Sequence, residues 1–176
     1  MQKNSYFKTN LAPNICPVID QKTRISIALI EHVKPTHFIT LSLCQGRKIE
    51  GMHGSQKWVS GDDVIYDEAY SGYVRSLSKL VTRRSFWDKY KLSLRNAGII
   101  EGGNRIERNH MHIIIAKPGD VSEERFRIMA YRAAARNSWI MNGGHSVDIQ
   151  SIKNSVEAVY ATFYSMKRGV DRICMG

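Results

Sequence analysis

Two histidines one residue apart, His110-Met111-His112, lie inside the run NHMHIIIAKP. On a β-strand, side chains two residues apart share one face. Both imidazoles can then reach one metal ion, while Met111 and Ile113 turn to the other face. Taken alone, a His-x-His pair is more often a half-buried strand with two incidental histidines, and a divalent ion needs a third ligand. Glu101 is the preferred source. If the loop between the two strands covers Gly103 to Asn109, Glu101 falls opposite His110 and faces the same side; a tighter turn at Gly103-Asn104 would move it several residues away. Glu107 is nearer in sequence but has the wrong parity for the histidine face.

A second set of reactive groups recurs in SIKNSVEAVYATFYSMKRG, residues 151–169. Ile152, Val156, Val159, Phe163 and Met166 follow three- and four-residue spacing, which predicts a helix with a buried stripe. Tyr160, Tyr164 and Lys167 recur at the same spacing on an adjacent face. A tyrosine oxygen is a capable nucleophile once deprotonated; the free phenol has a pKa of about 10, and a nearby cation or metal favours the phenolate. Ordinary amphipathic packing would give the same pattern. The third set is RRSFWDKYKLSLR, where Arg83, Arg84, Lys89 and Lys91 interleave with Phe86, Trp87 and Tyr90. Cations beside rings suit a single nucleic-acid strand, whose bases stack and whose phosphates need charge. A solvated helix end with core aromatics explains that stretch about equally well, and the same holds for Arg125, Arg127, Arg132 and Arg136.

The elements that must position these groups can be read along the chain. Residues 1–20 contain Pro13 and Pro17 and read as a loose arm, and residues 21–34 as a short helix ended by Pro35. Thr36 to Leu43 (THFITLSL) alternates and is rich in β-formers, predicting a strand. Gln45 to Gly61 reads as a polar loop. A helix follows over Val64 to Arg84, capped by Asp62 or Asp63. Ala97–Glu101 and His110–Ala116 form a hairpin. Asp120 and Ser122 are rival caps for a helix running to about Arg136. Ser146–Gln150 is a fourth strand, and the tyrosine helix spans about Lys153 to Arg168, stopped by Gly169. The order β-α-β-β-α-β plus a final helix predicts an α+β fold, a ferredoxin-like antiparallel sheet followed by the helix that carries the tyrosines. An N-terminal arm and short helix over residues 1–34 and one catalytic domain over residues 35–176 are the expected divisions.

Bulk properties narrow the function classes. Lys and Arg number 26 against 16 Asp and Glu, a formal charge of +10, which points to a polyanion partner. No apolar run is long enough to cross a bilayer, so no membrane partner is expected, and the polar N-terminus does not read as a secretory signal. Cys16, Cys44 and Cys174 are scattered and form no CxxC pair, which argues against a zinc scaffold and fits a reducing cytoplasm.

Taken in order, these pieces resemble the HUH endonucleases, the superfamily of rolling-circle replication initiators of plasmids and small phages, relaxases and single-strand transposases. THFITLSL is similar to the first motif. His110-Met111-His112 is similar to the His-hydrophobe-His motif, and Tyr164-Ser165-Met166-Lys167 to the Tyr-x-x-Lys of the initiators. Tyr160 makes the two-tyrosine version seen in phage gene A-type initiators. Two-tyrosine relatives often place a lysine between the tyrosines, where this chain has Ala161, Thr162 and Phe163. The resemblance covers about Thr36 to Gly169. It implies a metal-dependent cut in single-stranded DNA at an origin or hairpin. His110, His112 and Glu101 would hold Mg²⁺ or Mn²⁺, and Tyr164, with Tyr160 as a second nucleophile, would become linked to a 5′-phosphate. Lys167 would assist, and a host helicase would be supplied in trans.

Two other classes compete. A non-catalytic ferredoxin-like nucleic-acid-binding module would have no need of the histidine pair or the tyrosines, and an RNP1-like run is absent. A two-histidine phosphoesterase wants two His-x-Ser/Thr motifs, and only His53-Gly54-Ser55 is present. Within the superfamily, the Tyr-x-x-Lys form favours an initiator over a transposase or relaxase.

Overall fold

The structure, a computed structural model, describes residues 17–50, 54–60, 63–82, 93–101, 110–141, 146–166 and 172–175. Helix α1 spans Pro17–Val33 and gives way at Lys34, whose positive φ of 50° turns the chain left-handed just before Pro35. The strands are β1 (His37–Ser42), β2 (Gly46–Glu50), β3 (Gln56–Ser60), β4 (Asn96–Glu101), β5 (His110–Ile115), β6 (Val147–Ser151) and β7 (Arg172–Met175). The remaining helices among the described residues are α2 (Asp63–Val81), α3 (Glu123–Ala135) and α4 (Ser155–Ser165). None is long and apolar enough to cross a membrane.

Five strands form one antiparallel sheet in the order β6-β1-β5-β4-β7. Counting β1, β4, β5 and β6 as the four core strands, the spatial order is fourth-first-third-second, the ferredoxin-like arrangement that the element order implies. Strand β7 extends the sheet beyond β4 and was not foreseen; four residues are too few for an alternation signal. The stretch from Gln45 to Gly61, expected to be a loop, instead contains a separate two-stranded ribbon, β2 paired with β3.

Strand β5 sits at the centre with helices on both faces, which is why Ile113, Ile114 and Ile115 run on without a polar break. On one face Ile39, Leu41, Met111, Ile113 and Ile149 pack under Tyr73 and Leu77 of α2 and Phe126 and Ala130 of α3. On the other, Phe38, Ala97, Ile99 and Ile114 pack under Leu29 and Val33 of α1 and Ala161 of α4. Gly98 is required on the first face: a Cβ there would overlap the Tyr70 ring. Of the rival caps for α3, Ser122 is the one used, its Oγ accepting from the Arg125 N–H.

Candidate functional site

The register of the sheet builds the site. Thr40 of β1 lies opposite His112, Ser42 lies opposite His110, and Glu101 of β4 lies opposite His110 on the other side. This is the pairing that the longer loop required, and directly opposed residues of an antiparallel pair share a face. The side chain of Glu101 lies outside the described residues, as do Lys167, Arg83, Arg84, Lys89 and Lys91.

The two imidazoles lie side by side, their rings nearly parallel at 9° with centroids 6.4 Å apart. His110 is half-buried at the start of β5, and His112 is buried. Two neighbours hold the His112 ring. Phe38 stacks on it at 5.3 Å and 12°, and Thr40 Oγ1 lies 3.1 Å from Nδ1. The tautomer that donates from Nδ1 to this hydroxyl carries its lone pair on Nε2, the form a metal requires. Sequence reasoning missed both residues. Alternation in THFITLSL groups Phe38, Thr40 and Ser42 on one face, but only the register shows that it is the histidine face.

Helix α4 brings the tyrosines to this face. The Tyr164 ring meets His112 edge-on, with centroids 5.9 Å apart at 75°, and Tyr160 stacks on Tyr164 at 6.3 Å and 28°. The helix does so with a buried stripe that is only partly the one expected. Met166 is buried and Ile152 packs partly buried against the same cluster, but Val156 and Val159 are exposed, at 75% and 39%, and the buried positions within the helix are Ala158, Ala161, Thr162 and Ser165. Small residues let the helix axis approach closely. The two hydroxyls are buried without penalty because Thr162 donates to the Ala158 carbonyl at 2.8 Å and Ser165 to that of Thr162 at 2.7 Å. The helix also runs shorter than expected, from its cap at Asn154 to Ser165. Tyr164 is thereby half in and half out of the protein, and Tyr160 is 70% exposed. Tyr70 and Tyr73 are buried against the opposite face, away from the histidines, and burial pushes their phenols well above the usual tyrosine range.

The donor chemistry fits a divalent ion in two respects: paired imidazoles on one face, and a hydroxyl that orients one of them. Among the described residues no group of three or more His, Cys, Asp or Glu side chains could hold an ion. A complete set on this face therefore needs a donor from outside them, and the backbone of Glu101 is at the right register.

No protein-family model matches the chain, and no characterised protein matches its sequence. Among solved structures, one match is the N-terminal nuclease domain of non-structural protein 1 of minute virus of mice, described as coordinating Zn²⁺ in its active-site pocket and recognising DNA at the origin of replication. The two chains are 8% identical, the match spans 92% of this chain and 73% of that one, and the TM-score is 0.24, too low for the likeness to carry an argument.

Proposed function

We propose that this protein nicks and rejoins single-stranded DNA through a covalent phosphotyrosine, in the manner of the HUH replication initiators that its motifs resemble. One observation carries the reading: a half-exposed tyrosine, Tyr164, stands edge-on against His112 of the paired histidines, 5.9 Å between ring centroids. A phenol and two imidazoles from segments about fifty residues apart thus share one surface of a basic domain.

The chemistry supplied there by a bound Mg²⁺ or Mn²⁺ would be withdrawal of charge from the scissile phosphate. His110 and His112 would hold the ion, with Glu101 as the third donor. Thr40 and Phe38 keep the His112 ring in its plane. The Tyr164 oxygen attacks phosphorus; a new O–P bond forms as the bond to the 3′-oxygen breaks. That oxygen leaves as a free 3′-hydroxyl once it takes a proton, and the 5′-phosphate stays on the tyrosine. Because one phosphoester replaces another, the step is reversible and the strand can be rejoined without ATP. Lys167 would neutralise phosphate or favour the phenolate. Tyr160, stacked one turn away, would make a second cut while the first adduct persists. The +10 charge supplies affinity for the strand, and Arg83, Arg84, Lys89 and Lys91 are proposed to contribute to it.

The test is a denaturation-resistant protein–DNA adduct formed from labelled single-stranded oligonucleotides and Mn²⁺. Replacing His110 and His112 together with Ala should abolish the adduct, and EDTA should do the same to the wild type. DNA binding should persist in both cases, since phosphate contacts dominate affinity. Full cleavage by the double variant would end the metal reading.

A further inference from the structure

The β2–β3 ribbon carries side chains that the histidine–tyrosine cluster does not use. Its root is fixed beside that cluster. Ser42 lies opposite His110, the Cys44 N–H donates to the Trp139 carbonyl at 2.9 Å, and β2 begins at Gly46. Four steps of chain span at most about 14 Å, so the ribbon starts close to the histidine end of the sheet. Within the ribbon, Lys48 pairs directly with Trp58, and Ile49 with Lys57. Opposed residues share a face, and so does Gln56, two positions from Trp58. One face therefore presents an ammonium, an indole and an amide together, with Glu50 paired opposite Gln56 at the far end of the ribbon; Lys48, Trp58 and Gln56 are exposed, Trp58 at 59%. Lys57 adds a second exposed cation on the same strand.

A large ring left in water forgoes the gain that burial would bring. Set beside a cation on a protein of charge +10, it matches one ligand chemistry well: a single nucleic-acid strand, whose base stacks on the indole and whose phosphate meets the ammonium. We infer that the β2–β3 ribbon is a docking arm for single-stranded DNA flanking the scissile phosphate. A base stacks on Trp58, a phosphate sits on Lys48, and Gln56 reaches a base edge or sugar. This rests on the nicking reading for the identity of the strand.

The test uses the full chain and a pool of fluorescein-labelled randomised single strands about 20 nucleotides long, enough to reach from the histidine–tyrosine cluster to the ribbon. Affinity is read by anisotropy, and adduct yield is read separately at saturating DNA. Trp58→Ala should weaken binding roughly tenfold or more, Trp58→Phe should keep most of it, and Lys48→Gln should weaken it and flatten its salt dependence. Adduct yield at saturation should match the wild type in all three. An unchanged affinity in Trp58→Ala overturns the docking arm. An equal loss on a duplex of the same length overturns its assignment to a single strand. Absence of any adduct from the wild type counts instead against the nicking reading, and the affinity comparison still decides whether the ribbon binds a strand.

Discussion

The most informative single contact is the one that holds His112. An imidazole on a strand can rotate about its side-chain bonds, and a ligand that rotates binds metal poorly. Thr40 Oγ1 at 3.1 Å from Nδ1 and the Phe38 ring stacked at 5.3 Å remove that freedom. Thr40→Val keeps the shape and deletes the hydroxyl. It should lower affinity for Mn²⁺ by about 10- to 100-fold, measured by calorimetry, and Thr40→Ser should restore it. Wild-type affinity in the valine variant would show that the hydroxyl does not orient a ligand. That His110 and His112 share one strand face, and Tyr160 and Tyr164 one helix face, was legible from spacing, because strand and helix periods are fixed by backbone geometry. Thr40 and Phe38 were not, because their role depends on which strand lies alongside, and that is a long-range pairing that no local pattern encodes.

At the scale of elements, α3 is tied to the sheet by a buried imidazole. His37 of β1 is buried, and its Nε2 lies 2.9 Å from both carboxylate oxygens of Glu123 in the first turn of α3. The Ser151 hydroxyl donates to the same carboxylate at 2.7 Å, and Thr36 Oγ1 lies 2.9 Å from His37 Nδ1. Burial on its own raises the Glu123 carboxyl, but hydrogen bonds from His37 and Ser151 and the nearby Arg127 outweigh it, and the group is held below its ordinary value of 4.5. A carboxylate with a lowered folded pKa stabilises the fold above the unfolded value and loses that contribution as pH falls through the folded one. Glu123→Gln should therefore be less stable than the wild type by about 1 kcal/mol at neutral pH, a modest figure because the carboxylate is half-exposed and screened. In urea titrations the gap should narrow as pH drops below about 4.5; a gap that stays constant with pH would refute the linkage. Two elements were misread from sequence for physical reasons. In the β2–β3 ribbon the described side chains of Lys48, Gln56, Lys57 and Trp58 are all exposed, so they carry no apolar–polar alternation and look like a loop. In α4 the bulky residues suggested the buried stripe, whereas close approach to the sheet selected Ala158, Ala161, Thr162 and Ser165 and left Val156 in water.

At the scale of the molecule, the sheet order is what makes the site. Placing β5 at the centre puts the histidine pair between β1, which supplies Thr40 and Phe38, and β4, which ends at Glu101. The connection from β6 into α4 then returns the chain across that face with Tyr164 over His112. This order was legible because two hairpin strands and two flanking ones in a β-α-β-β-α-β sequence have few right-handed arrangements. The added edge strand β7 was not, being four residues long. Peptide mapping of the covalent adduct tests most directly whether Tyr164 is the group that attacks DNA. Wild-type protein should yield a DNA-bearing peptide modified at Tyr164. Tyr164→Phe, which removes only the hydroxyl and keeps the ring against His112, should lose most of the adduct; Tyr160→Phe should retain a first cleavage, and the double variant should form none. An adduct on neither tyrosine, or full adduct yield from the double variant, would contradict the mechanism.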